Sequence, residues 1–114
     1  MTMKNCEDNL QSLQFILKVL GGKWKIHILS NLYYGKKRFK ELEREVAGVS
    51  PKMLAKELKD LEAIGIVSRK TFNTVPITVE YSLTKEGLTL KPVLDNIIQW
   101  SVKFKQQTKK KTNR

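Results

Sequence analysis

Leu10, Leu13, Leu17 and Leu20 recur at the spacing that lines apolar side chains along one face of a helix. Residues 9–20 are therefore predicted to form an amphipathic helix, stopped by Gly21-Gly22. A second helix is predicted from Lys23 to Tyr34, with Trp24, Ile28, Leu29 and Leu32 inward and Gly35 at its end. A short helix over residues 38–46 follows, burying Phe39, Leu42 and Val46. Ala47-Gly48-Val49 then makes a turn. Ser50 has the chemistry of a helix cap, and Pro51 occupies the first helical position, where its missing N–H costs nothing. This next helix is predicted to reach Ile64 and to end at Gly65.

From Ile66 the period changes. Residues 67–72 and 77–83 are rich in β-branched and aromatic side chains, and Ile77, Val79, Tyr81 and Leu83 alternate with Thr78, Glu80 and Ser82. That alternation predicts a half-buried strand, with Asn73-Thr74-Val75-Pro76 as the tip of a hairpin. Thr84 can cap a last helical segment, apolar through Leu90, Val93, Leu94, Ile97, Ile98, Trp100 and Phe104. Pro92 must either kink that helix or lie near its true start. The predicted fold is mainly α with a small β hairpin: a winged helix-turn-helix carrying extra N- and C-terminal helices. Residues 1–105 are expected to form a single domain.

Charge narrows the partner. The chain has 114 residues and a formal net charge of +11. Such an excess favours a polyanion, nucleic acid ahead of an anionic membrane surface. Its distribution is uneven. Six bases and no acid lie in residues 101–114, and seven bases and no acid in residues 9–40. Residues 106–114 contain no apolar side chain, so this basic tail is expected to be disordered.

The most informative charges lie between Ser50 and Leu61. On a helical wheel Lys56 and Lys59 fall within about 40° of Lys52, while Leu54, Leu58 and Leu61 cluster on the opposite side. A recognition helix has this form: leucines dock it, and cations face a major groove about 12 Å wide. Lysine is a flexible point charge, better suited to phosphates than to base edges. Base reading is assigned to Ser50, Lys52, Met53 and Lys56, near the helix N-terminus. Lys59 extends the same cationic face. Wing residues Arg69, Lys70, Asn73 and Thr74 are candidates for the backbone or minor groove, and Arg38 and Lys40 for phosphate clamps. The last helix is too apolar for a monomer surface. Leu94, Ile97, Ile98, Trp100 and Phe104, with Leu10, Leu13 and Leu17, are assigned to a two-fold dimer interface.

Other chemistries find little support. A single cysteine and a single histidine exclude a zinc finger and a disulfide framework, and no metal or cofactor is expected. No run approaches the length of a membrane span, and the N-terminus lacks the form of a signal peptide, so a cytoplasmic protein is expected. Cys6 and His27 lack the orienting group and oxyanion site of a catalytic pair, and no enzyme activity is expected. His27 reads as structural. Cys6 stands near a helix N-terminus, which favours a thiolate, but Glu7 and Asp8 oppose that effect. From the residues alone it reads as inert.

The combination of motifs carries a resemblance. Gly21-Gly22-Lys23-Trp24, Arg38-Phe39-Lys40-Glu41-Leu42, Val49-Ser50-Pro51-Lys52-Met53-Leu54, Leu58-Lys59-Asp60-Leu61-Glu62, Val79-Glu80-Tyr81-Ser82-Leu83-Thr84 and Pro92-Val93-Leu94 with Trp100 together resemble the HxlR-type family of bacterial transcriptional regulators, related to the MarR group. The resemblance spans roughly residues 6–104. It implies a dimeric winged-helix protein, usually a repressor, whose Ser50–Leu61 helix enters the major groove. Several members sense quinones, aldehydes or hypochlorite through a cysteine just before the first helix, the position of Cys6. Two departures stand out. Glu7 replaces the proline that often follows this cysteine, and Ile77-Thr78 replaces a proline and a base in the wing. With one cysteine, oxidation leads to a disulfide between subunits or with a small thiol, and alkylation is the other route. The effector is not legible. A non-covalent ligand, no effector, and a non-specific architectural or RNA-associated role are the competing readings.

Overall fold

The computed structural model describes the backbone of residues 6–112 and the side chains of residues 8–107. The elements in chain order are α1 (Cys6–Leu20), α2 (Lys25–Leu32), β1 (Lys37–Arg38), α3 (Phe39–Glu45), α4 (Pro51–Ile64), β2 (Val67–Phe72), β3 (Thr78–Leu83), α5 (Lys85–Thr89) and α6 (Lys91–Thr112). The predicted winged helix-turn-helix is present, with one addition. Residues 37–38 pair with β3, so the sheet has three antiparallel strands in the order β1-β3-β2. Two residues carry no readable period, which is why the hydrophobic pattern gives no sign of β1.

α4 is fixed at both ends. Ser50 Oγ accepts from Met53 N–H at 3.1 Å, and Pro51 follows as the first helical residue. At the other end Gly65 has φ of 95°, a left-handed conformation that favours glycine. The Ile66 and Gly65 N–H groups return to Leu61 O at 3.1 and 3.2 Å, satisfying carbonyl acceptance at the helix end. The chain then enters β2. β3 lies beside it in a register that sets Arg69 opposite Tyr81 and Lys70 opposite Glu80.

Apolar side chains from these elements meet in one core. Ile28, Leu29 and Leu32 from α2 pack with Leu42 and Val46 from the α3 region and Leu54, Leu58 and Leu61 from α4. Val67 and Tyr81 close the sheet side, and Leu94 joins from α6. Pro92 lies in the first turn of α6, after a break at Leu90, so it starts a helix rather than kinking one. α6 continues to Thr112, into the segment whose composition predicts no order. The side chains beyond residue 107 lie outside the described ones.

Candidate nucleic-acid interface

α3, the turn and α4 form the helix-turn-helix. On α4 the side chains of Leu54, Leu58 and Leu61 are buried, while Lys52, Met53, Lys56 and Lys59 are exposed. The two stripes therefore lie on opposite faces, as the wheel predicts. Ser50, at the N-terminus of α4, is exposed too, although its hydroxyl already accepts from the helix backbone.

The remaining basic candidates flank this helix. Lys59 and Arg69 line one recess together with Ala55, Glu62 and Tyr81, which joins the recognition helix to the base of the wing. Lys70 lies over the Phe72 ring at 5.2 Å from its centroid. Arg38 is the N-cap of α3, its backbone N–H donating to Glu41 Oε1 at 2.8 Å, and both Arg38 and Lys40 are exposed. Lys52, Lys59, Arg38, Lys40, Arg69 and Lys70 have no ion-pair partner among the described residues. Their charges are therefore not neutralised by a carboxylate among the described residues.

Two candidates differ from the simple picture. Lys56 is exposed but paired: its Nζ lies 3.2 Å from Asp60 Oδ2 and 3.6 Å from Glu57 Oε1. The hydrogen bond with Asp60 raises the Lys56 ammonium above its ordinary range and lowers the Asp60 carboxyl below its own. Thr74 is exposed, yet its hydroxyl donates to Pro76 O at 2.7 Å and lies 2.8 Å from Thr78 Oγ1, so it folds the wing tip. Beside Asn73, the outermost surface of that tip is apolar, with Val75 102% and Ile77 66% exposed.

The structure also reveals charged residues that the sequence pattern does not single out. Lys25 and Glu57 form a buried ion pair at 2.9 Å, their side chains 11% and 7% exposed. The signal was faint. On the wheel Glu57 turns away from the lysine stripe, but its partner stands 32 residues upstream and no local spacing announces it.

A separate apolar surface runs over the terminal helices. Leu10, Leu13, Phe15, Ile16 and Leu17 on α1 are exposed, as are Val93, Ile97, Ile98, Trp100, Val102 and Phe104 on α6. The Trp100 and Phe104 rings stack with centroids 5.3 Å apart. Leu94 corrects one assignment: at 1% exposure it sits in its own chain's core and anchors α6 there, so it cannot face a second copy. Cys6 opens α1, and its side chain lies outside the described ones. Among the described residues, no group of three or more His, Cys, Asp or Glu side chains is placed to hold a metal ion. No described helix is long and apolar enough to cross a membrane.

Residues 19–109 match the HxlR-like helix-turn-helix family. The chain belongs to the HxlR-like family. Among its relatives, the HTH-type transcriptional regulator YkvN of Bacillus subtilis (strain 168) is 47% identical over 90 residues, covering 79% of this chain and 76% of YkvN. A MarR-family transcriptional regulator from Enterococcus faecalis V583 superposes with a TM-score of 0.79 at 34% identity, covering 96% of this chain and 97% of that one. The redox regulator HypR in its oxidised form superposes with a TM-score of 0.76 at 41% identity, covering 81% and 95%. The HxlR-like chain is thus a winged-helix transcriptional regulator, and DNA is the ligand for which helix-turn-helix regulators of this kind are built.

Proposed function

We propose that the protein is a homodimeric repressor that reads a pseudo-palindromic DNA operator. The observation carrying this reading is α4: its leucines are buried in the core and Lys52 and Lys59 stand unpaired on the opposite, open face. The N-terminal turn of α4 enters the major groove, with Ser50, Lys52, Met53 and Lys56 near base edges and Lys59 toward phosphate. Arg38 and Lys40 clamp the backbone on one side. Arg69, Lys70, Asn73 and Thr74 follow it, or the minor groove, on the other. α1 and α6 meet their symmetry mates through Leu10, Leu13, Leu17, Ile97, Ile98, Trp100 and Phe104.

The test is charge reversal on the open face. Lys52→Glu/Lys59→Glu should keep the wild-type melting temperature and dimer mass but lose retention of a duplex carrying the regulator's own upstream region. Wild-type retention by the folded variant would remove α4 from the interface. Strong wild-type binding with no preferred sequence would favour an architectural role instead.

Cys6 is the proposed switch. The likeness to HypR, a redox regulator, supports this, as does the position of Cys6 at the start of α1, a helix assigned to the proposed dimer. Its thiolate adds to an electrophile, or a two-electron oxidant such as a diazene takes two electrons and two protons as Cys6 forms a disulfide across the dimer or with a small thiol, and the altered interface shifts the spacing of the two α4 helices. Diamide or a quinone should release DNA from the wild type and not from Cys6→Ser. Equal release from both proteins would acquit Cys6 and favour a different effector.

A further inference from the structure

The buried Lys25–Glu57 pair belongs to a larger arrangement of four charges. Glu57 Oε2 lies 2.9 Å from Lys25 Nζ, and Glu57 Oε1 lies 3.6 Å from Lys56 Nζ. A single oxygen, Asp60 Oδ2, lies 3.6 Å from Lys25 Nζ and 3.2 Å from Lys56 Nζ. Each carboxylate therefore bridges the same two lysines, one buried in α2 and one exposed on the candidate DNA face. The ring closes across two helices: Lys25 is the first residue of α2, and the other three belong to α4.

From this geometry we infer that Lys25 is a positioning residue for DNA recognition, setting the register of α4 and the aim of Lys56 without touching DNA. The inference rests on the proposed role of α4. The leucine stripe alone supplies a non-directional attraction, which tolerates small sliding and rotation of one helix on another. A hydrogen-bonded ion pair has a preferred direction and distance. Removing two charges from water is costly, so a buried pair is weak evidence for stability, and register is the best-attested use of one. Register matters here because successive base pairs are about 3.4 Å apart, and a helix displaced by a fraction of that reads different edges. Phosphate contacts through long lysines absorb the same displacement. Loss of the ring should therefore damage selectivity more than general affinity.

The experiment first selects a preferred duplex for the wild-type dimer from a random pool. Lys25→Met/Glu57→Leu then removes the buried side of the ring at unchanged net charge, with apolar side chains of similar volume. The melting temperature and dimer mass should remain those of the wild type. Affinity for an unselected duplex should stay within about twofold, while affinity for the selected duplex should fall about tenfold. Lys25→Arg, which keeps the cation, should retain most of the preference. Hydrogen exchange supplies a readout without DNA: α4 amides should exchange faster in the Met/Leu variant. A folded variant with wild-type preference overturns the inference, as does unchanged α4 exchange. If the double variant does not fold, Glu57→Gln removes the charge and one of the two bridging oxygens, so it should show a smaller loss of preference and faster α4 exchange, and wild-type values for both overturn the inference. If the wild type selects no site, the operator-reading proposal fails, and α4 exchange alone decides whether the ring fixes the helix.

Discussion

Gly87 occupies a point where the end of one unit meets the start of the next. Thr84 donates its N–H to Ile66 O at 2.9 Å, and its hydroxyl accepts from Gly87 N–H at 3.1 Å, capping α5 directly under the turn after α4. Tyr33 Oη adds a donor to Gly87 O at 2.9 Å. A Cβ on Gly87 would stand 2.4 Å from Ile66 O and 3.2 Å from side-chain carbons of Ile66 and Leu83. Helix propensity alone would favour alanine there by about 1 kcal/mol. The backbone contact opposes it, and forced overpacking costs about 1–3 kcal/mol. Gly87→Ala should therefore lower the melting temperature at fixed protein concentration, by roughly 4 °C per kcal/mol. A rise would show that α5 shifts freely. At this scale the sequence announces local devices, such as Ser50 before Pro51 and Thr84 before a helix. It does not announce that Gly87 lies against Ile66, because close approach between segments leaves no mark on spacing.

Strong periods survive translation into elements, and weak ones do not. α4 has a leucine stripe and a cap at one end and a glycine stop at the other, and its predicted limits match those found. β3 alternates through residues 78–83 and is present there. β1 is missed because Lys37 and Arg38 acquire strand geometry only by pairing with Tyr81 and Glu80. The candidate site divides likewise. Its exposed cations are legible because the wheel separates them from the leucines, whereas the bond from Glu57 to Lys25 depends on how two helices pack. The wing offers a test that separates element roles. Arg69 projects from β2 beside Lys59 and is unpaired, so it is suited to phosphate. Arg69→Ala should weaken binding to selected and unselected duplexes alike and reduce the salt slope by about one. Lys52→Ala should instead narrow the gap between the two duplexes, because it acts from the α4 N-terminus. Titrations across salt concentrations check both, and a sequence-selective loss from Arg69→Ala would move base reading into the wing.

The proportions of the whole chain leave apolar surface on its terminal helices uncovered. Its radius of gyration is 17.0 Å, against about 13 Å for a compact chain of this length. The excess arises from terminal helices that leave the core: of the described α1 side chains only Val19 is buried, and α6 holds on through Leu94 while Ile97, Ile98, Trp100 and Phe104 remain exposed. An apolar surface of this extent calls for burial, and in the proposed homodimer a second copy would supply the matching one. Ile97→Glu/Trp100→Glu places carboxylates on that surface and leaves Leu94 in the core, so the winged-helix unit should fold while the dimer dissociates. Sedimentation should report a monomeric mass, with helical and near-ultraviolet circular dichroism close to wild type apart from the lost tryptophan. DNA binding gives the stronger discrimination. Two recognition helices on one dimer address half-sites about one helical turn apart, and the second contact forms at high effective concentration. A monomer loses that gain, so affinity for the full operator should fall about 100-fold or more. Affinity for a single half-site should change little, since α4 and the wing are untouched. If a monomeric variant kept full operator affinity, one winged helix would suffice for recognition, and the apolar surface would need another occupant.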